Sequence, residues 1–427
     1  MTTFQSSVTA LVDCNSCYSS AETIFRPWLR ERPVITLSAN DGNVIARNRP
    51  AKDLGIPMGA PWHEVAPLYR RGQIEVFSSN FALYQNISDR VMTLLSRLAP
   101  RISIYSIDEC WVDLSGMPGD LADWGTQTRK AVLQQIGMPV GIGISSTKTL
   151  AKLSNWASKN WARQTGNVVD LRDPARRDKL LHIAPVDEVW GIGSRLSRRL
   201  KADLNITTAW GLATANRRLL RRYYGVTVER TSRELLGEQC FAFDEGPVPK
   251  QQIIASQSFG SRVYDQQRLA AALAPHTGRA AAKLRAQDSL THCLQVFVQT
   301  SPFDHRGTPY SARDIATFPC PTDDTRELIS AATTLLKRIY REGPAYAKAG
   351  VMLSQFVPSR NRTDDLFAPG RRADTEKVMA VMDSINAKMG RGTVRIAQED
   401  AAKGWEMRRQ FLSPAYTTRW QDLPLAH

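Results

Sequence analysis

Apolar positions along this chain follow two periods, and the places where one gives way to the other mark its elements. Val8-Thr-Ala-Leu-Val-Asp13 is a mostly apolar run that stops abruptly at an acid, the composition of a buried strand. Cys14-Asn-Ser-Cys-Tyr18 follows it as a turn leading into a helix that opens between Asn15 and Ser19. Ser19-x-x-Glu22 has the form of a capping box, and Pro27 and Pro33 close the segment. Phe81, Tyr84, Ile87, Val91, Leu94, Leu95 and Leu98 recur at helical spacing and predict an amphipathic helix within residues 78–100. Then the period drops to two. Ile102 and Ile104, and after them Cys110, Val112 and Leu114, predict two short strands joined by a tight reversal at Asp108-Glu109. A helix over 120–136 and a buried strand over Pro139–Ser145 complete the order strand, helix, hairpin, helix, strand, which is that of a ferredoxin-like sheet.

The rest of the chain divides at composition shifts. Residues 31–77 read as a small separate unit. It has a strand at Pro33–Leu37, a hairpin turn at Asn40-Asp-Gly-Asn43, and a short helix that follows Val44–Arg47 and ends at Gly55–Gly59. Residues 166–245 are helical and arginine-rich. Within them Val189-Trp-Gly-Ile-Gly193, then Leu196, Leu200, Leu204 and Ile206, predict a helix-hairpin-helix with Arg195, Arg198, Arg199 and Lys201 alongside. Gly191 and Gly193 leave backbone N–H groups free to meet a phosphate at a helix start. A proline-bearing linker at 246–252 leads to a second αβ unit: strand 253–264, helix 269–285, strand 293–299, helix 325–340, strand 349–353. Trp405, Tyr416 and Trp420 lie in a tail with no legible chemistry.

At 427 residues the chain exceeds one hydrophobic core, so an α+β multidomain protein of about three or four domains is expected. The 42% hydrophobic fraction with interspersed charge indicates folded, soluble domains. No apolar run reaches the ~18 residues a membrane span requires, and no charged segment precedes the first apolar run, so the expected location is cytoplasmic. The six cysteines are dispersed, and Cys14-x-x-Cys17 has no second pair to complete a zinc site. A net charge of +15 favours a polyphosphate partner.

Adjacent carboxylates at an apolar hairpin repel and lose hydration, so Asp108-Glu109 is either a solvated turn or a cation site. Carboxylate oxygens suit Mg²⁺. Asp13, at the end of its own strand, supplies a third acid. Three acids suffice for two ions ~3.5–4 Å apart, the layout of in-line phosphoryl or nucleotidyl transfer. Lys148, Lys152 and Lys159 share one helix face, which suits a triphosphate, a primer backbone or simply solvent.

Tyr105-Ser-Ile-Asp-Glu109 resembles the palm signature of the Y-family (translesion) DNA polymerases, and Val12-Asp13-Cys-Asn-Ser-Cys-Tyr18 resembles their first motif. The likeness extends over nearly the whole chain to the bacterial polymerase V branch of that family. It is carried by Asn43-Val-Ile-Ala-Arg-Asn48, Ser145-Ser-Thr-Lys-Thr-Leu-Ala-Lys152, Val189–Gly193, Lys348-Ala-Gly-Val-Met352 and Leu412-Ser-Pro-Ala-Tyr-Thr-Thr-Arg419. The resemblance implies a ferredoxin-like palm (1–30 and 78–165), small fingers (31–77), a helix-hairpin-helix thumb (166–245), an αβ little finger (246–358) and a C-terminal partner-binding extension (359–427). It implies error-prone, template-directed DNA synthesis across lesions during SOS mutagenesis, on primed template DNA with dNTPs, in the nucleoid-associated cytoplasm.

Residue by residue, the same resemblance gives Asp13, Asp108 and Glu109, with the backbone carbonyl of Cys14, as ligands of two Mg²⁺. Tyr18 lies under the incoming sugar and excludes a 2′-hydroxyl. Lys159 and Lys52 neutralise the triphosphate; Arg49 and Lys52 stand where other members place a tyrosine and an arginine, and Arg47 reads as a solvated charge. Lys148, Lys152, Gly191, Gly193, Arg195 and Arg262, with Ser256 and Ser258, face DNA. Leu366 and Phe367 fall where the branch carries a sliding-clamp peptide, without its leading glutamine. A processed UmuD-type dimer and a recombinase filament are the implied partners of the tail. Two other classes use similar features: a nucleotidyl cyclase or metal-dependent phosphodiesterase on the same acids, and a DNA-binding scaffold with a vestigial site.

Overall fold

The computed structural model describes residues 7–243, 249–303, 309–361, 374–390, 392–400 and 407–423. Its strands are β1 (Thr9–Cys14), β2 (Val34–Leu37), β3 (Val44–Arg47), β4 (Glu75–Ser78), β5 (Arg101–Ile104), β6 (Glu109–Asp113), β7 (Val140–Ser145), β8 (Val168–Asp170), β9 (Gln252–Val263), β10 (Ser289–Thr300), β11 (Ser311–Thr322) and β12 (Tyr346–Pro358). The helices that position the site are α1 (Cys17–Ile24), α2 (Arg49–Asp53), α3 (Trp62–Arg70), α4 (Phe81–Leu98), α5 (Leu121–Ile136) and α6 (Lys148–Asn160). The chain divides into two compact units, residues 1–247 with 410–427, and residues 248–409.

The first apolar run becomes the middle strand of a five-stranded sheet ordered β5-β6-β1-β7-β8. β1 is antiparallel to both β6 and β7, and β5-β6 is the hairpin that the period of two predicts. Alternation along the strands sorts the two faces. Ala10, Val12, Cys110, Val112, Ile142 and Ile144 join the core built with α4 and α5. Leu11 and Trp111 pack with Ala151 of α6 on the opposite face. β8 pairs in parallel with β7, so the palm sheet extends beyond the boundary expected at residue 165. Three residues are too few to show a period.

The capping-box reading of Ser19 and Glu22 fails. α1 begins at Cys17, behind Ser16 in the left-handed region (φ 49°), and has no side-chain cap. Ser19 and Glu22 are interior positions with no exposed surface; Glu22 accepts a 2.7 Å hydrogen bond from the Tyr84 hydroxyl rather than returning to the backbone. The fingers sheet is ordered β3-β2-β4, with the reversal between β2 and β3 made by Asn40 and Asp41, both at positive φ. α3 is absent from the sequence reading because Pro67 lies inside it and breaks the helical pattern. The thumb helices Pro174–Ile183 and Ser194–Leu204 pack around Leu181, Val186, Ile192 and Leu200.

The second unit is a four-stranded antiparallel sheet ordered β11-β10-β12-β9, packed against helices Gln266–Arg285 and Thr325–Ile339. β11 was not expected. It is an edge strand with two prolines, tolerated there because an edge strand has one unpaired side. A further helix, Thr375–Met389, joins this unit through a bidentate Arg285–Asp383 pair at 2.6 and 2.8 Å. The extension expected over 359–427 is therefore divided between the units, with residues 410–427 in the first. Leu366 and Phe367 lie outside the described residues. Among the described residues no helix is long and apolar enough to cross a membrane.

Candidate active site

Strand register brings the three acids together. Asp13 and Glu109 are paired across β1 and β6, and the Cys14 N–H donates to the Asp108 carbonyl at 2.8 Å. The side chains of Asp13 and Glu109 are each 14% exposed. The hairpin is organised by Ser106, whose hydroxyl accepts from the N–H groups of Asp108 (3.3 Å) and Glu109 (3.0 Å) and donates to an Asp108 carboxylate oxygen. The sequence reading had no role for this serine; its signal was only its place two residues before the acid pair.

Two lysines of α6 supply the counter-charge. Lys159 Nζ lies 2.6 Å from Asp13 Oδ1, and Lys152 Nζ contacts both Glu109 oxygens at 2.8 and 2.9 Å. Among the described residues no ion pair reaches Asp108, and no group of three His, Cys, Asp or Glu side chains is already drawn into a metal-ligating cluster. The donor set nevertheless fits a hard divalent cation: three carboxylates at one sheet end, largely shielded from water, held by ammonium groups on flexible stems. Burial pushes the Asp13 carboxyl up to about 6 despite Lys159, with Glu109 and Asp108 adding to the rise. A dry acid in that state gains from a cation. The buried Cys14 thiol is held well above its ordinary value by its hydrogen bond with Cys17 and by burial, so a thiolate ligand is disfavoured there.

Three lysine expectations separate. Lys159 and Lys152 reach the acids. Lys148 does not face DNA: it is 5% exposed, its ammonium donates to the Ala242 carbonyl at 2.7 Å, and it lies over the Trp111 and Phe243 rings. On the fingers, burial lowers the Lys52 ammonium, with repulsion from Lys159, Arg47 and Arg49. The fold thus holds several cations close enough to repel one another, with Asp13 also within range of Lys52, and such a concentration of positive charge suits a polyanion. Arg49 is engaged with Asp53 at 2.9 Å. Arg47 is not a solvated charge; it is half-buried and donates to the Ile56 carbonyl at 2.6 Å.

Tyr18 is half-buried at the first turn of α1. Its ring stacks on Tyr84 of α4 (centroids 4.6 Å, planes 14° apart) with Phe81 edge-on at 5.8 Å. Burial raises its hydroxyl, with smaller contributions from Cys17 and the Asp108 charge. Glu22 lies one turn further along α1, and burial raises its carboxyl to about 7 against hydrogen bonds from Tyr84 and Ser413. An unfolded glutamate titrates near about 4.3, so the folded chain holds the extra proton between that value and about 7. The stabilisation is therefore present at low pH and lost as pH rises through about 7. Glu22→Gln removes the titration. Its stability relative to the parent rises by roughly 1–3 kcal/mol between about pH 5 and pH 8 in thermal melts. An unchanged difference across that range contradicts this account of Glu22.

In the thumb, Gly191 (φ 86°) and Gly193 are exposed before the helix that begins at Ser194, and Arg195 is exposed on its first turn. In the second unit Arg262 and Ser258 are exposed on β9, and Ser256 is half-buried.

The impB/mucB/samB family profile matches residues 12–155, its C-terminal domain matches 250–366, and a domain of unknown function matches 376–426. The chain is 45% identical to protein UmuC of Salmonella typhimurium over 97% of its own length and 99% of that protein. It is likewise 45% identical to protein SamB of Salmonella typhimurium, over 98% and 99%. A solved Y-family DNA polymerase chimera superposes with a TM-score of 0.62 at 19% identity, covering 82% of this chain and 99% of the other.

Proposed function

This chain belongs to the impB/mucB/samB family, and from that membership we propose that it is an error-prone translesion DNA polymerase acting in SOS mutagenesis. It extends a primed template with dNTPs. The reading is carried by one observation: Asp13, Glu109 and Asp108 converge at one end of the palm sheet, with Tyr18 and two lysines beside them. Asp13, Asp108 and Glu109, with the Cys14 carbonyl, would hold two Mg²⁺. When bound, these ions supply charge neutralisation and acidify the primer 3′-hydroxyl.

The residues do the rest. The three carboxylates fix where the primer end and the α-phosphate meet, so that the 3′-oxygen forms the new P–O bond as the bond to pyrophosphate breaks in line. Lys159 and Lys52 turn to the triphosphate charge, and Lys152, released from Glu109, to the primer side. Tyr18 meets the sugar and rejects a 2′-hydroxyl by contact. Gly191, Gly193 and Arg195 of the thumb, and Arg262 of the little finger, hold the duplex by its phosphates. A processed UmuD-type dimer and a recombinase filament complete the working assembly, and Leu366-Phe367 engages a sliding clamp.

The test is single-nucleotide incorporation opposite an abasic site, with and without the UmuD-type partner. Primer dependence is expected. Protons compete with the cation for Asp13, so half-saturating Mg²⁺ rises about fourfold from about pH 7.5 to about pH 5.5. A cyclic or hydrolysed product made from nucleotide alone assigns the acids to a cyclase or phosphodiesterase instead. Tight binding of primed DNA without incorporation favours a scaffold.

A further inference from the structure

Glu22 has no place in the chemistry above. It lies fully buried one helical turn from Tyr18, on the same face of α1. One of its carboxylate oxygens, Oε2, is buried with no hydrogen-bond partner. A buried unsatisfied carboxylate atom is costly, so something must hold this residue where an apolar side chain would pack more cheaply. Its other oxygen accepts from two directions, the Tyr84 hydroxyl at 2.7 Å and the Ser413 hydroxyl at 3.1 Å. Tyr84 is itself fully buried and is the ring on which Tyr18 stacks.

Ser413 arrives on a segment that is anchored on both sides. Before it, the Gln410 N–H donates to Asp41 at 2.8 Å, the Phe411 N–H donates to the Ser78 hydroxyl at 2.9 Å, and the Ser78 N–H donates back to the Phe411 carbonyl at 2.9 Å. After it, Tyr416 stacks on Phe25 at 4.5 Å and accepts from Arg26 Nε at 3.0 Å. Asn80, which caps α4 by accepting from the Leu83 N–H, donates to the Ser413 hydroxyl at 3.0 Å. The segment thus spans the end of fingers strand β4, the start of α4 and the C-terminal end of α1, with Ser413 at the joint.

We propose that Ser413 is a positioning residue for the nucleotide site: through the buried chain Ser413–Glu22–Tyr84, the C-terminal segment sets the ring on which the sugar-gating Tyr18 rests. The inference depends on the reading of Tyr18 as that gate. A clash that separates a 2′-hydroxyl from hydrogen works over a fraction of an ångström, so a loosened Tyr84 ring costs discrimination before it costs synthesis. It also gives a task to part of the region matched only by a domain of unknown function.

The experiment measures kcat/KM for a dNTP and for the matching rNTP on one primed template, using the full-length chain with its UmuD-type partner. Ser413→Ala lowers the dNTP-to-rNTP preference about fivefold, the worth of one buried hydrogen bond, mainly through better use of the ribonucleotide. Ser413→Thr, which keeps the hydroxyl, restores it. Tyr84→Phe keeps the ring stack, deletes only the hydroxyl, and reads the same link from the other end. Tyr18→Ala, run in parallel, collapses the preference further. If Tyr18→Ala leaves the preference intact, the gate reading fails and this inference falls with it. If Tyr18→Ala collapses it while Ser413→Ala and Tyr84→Phe retain the parent ratio, or lose dNTP and rNTP use equally, the segment is structural only and the proposal alone is overturned.

Discussion

Asp108→Ala lowers single-turnover primer extension by about 10³-fold or more, with no loss of fold. The size follows from what each acid has beside it. Asp13 and Glu109 are neutralised by Lys159 and Lys152, whereas among the described residues Asp108 has a hydroxyl from Ser106 and no ion pair. Its negative charge is therefore the most available to a cation, and nothing nearby replaces it. The fold is spared because the backbone links of this residue survive the substitution: its carbonyl still accepts from the Cys14 N–H and its N–H still donates to Ser106, with only the carboxylate bond from Ser106 lost. Asp108→Asn, of nearly the same shape, loses as much activity, since charge rather than volume is removed. Rapid-quench incorporation on a primed template, with thermal melts of each variant, decides it. Activity within about tenfold of the parent, in a variant that melts normally, would end the assignment of Asp108 to the reacting centre.

Gly143→Ala unfolds the palm at lower temperature. Gly143 lies on β7 facing α6, and a Cβ added there would stand 2.2 Å from the Ala151 carbonyl oxygen and 2.2 Å from the Asn155 nitrogen. Both are backbone atoms of α6, so no side-chain rotation relieves the clash and the whole helix must move. Overpacking of this kind costs about 3 kcal/mol or more, a fall of roughly 5–10 °C in melting temperature. The same helix carries Lys152 and Lys159, so activity falls with it. Gly141, two residues earlier, is the internal comparison. A Cβ there meets Ser158 Oγ at 3.1 Å and Lys159 Cε at 3.3 Å, side-chain atoms able to yield, so Gly141→Ala is the milder variant. Equal melting temperatures for parent and Gly143→Ala would mean that α6 does not lie on the sheet at backbone contact.

Both results depend on features that the linear chain carries to different degrees. The hairpin was legible because Ile102, Ile104, Cys110, Val112 and Leu114 repeat at two, and a reversal must fall between the two halves. Asp13, Asp108 and Glu109 stood out because acids at the ends of apolar runs need a reason to be there. α4 and α5 formed within three residues of their predicted ends, since an eighteen- or sixteen-residue helical pattern contains its own period several times over. Gly141 and Gly143 were visible as letters without a purpose; only α6 lying against them supplies one.

The amino-acid order by itself therefore determined the palm's helices and its strands other than β8, the three acids, and the basic balance that suits a nucleic acid. Tertiary structure alone decided that Glu22 belongs to Tyr84 rather than to a helix cap, that Lys148 is buried while Lys152 and Lys159 reach the acids, and that Ser413 meets a residue 391 positions away. The reason is physical. A periodic pattern records which face of an element loses water, because that face is repeated every turn or every second residue. It holds no record of what covers that face, because a single long-range contact is made once and leaves no repeat behind.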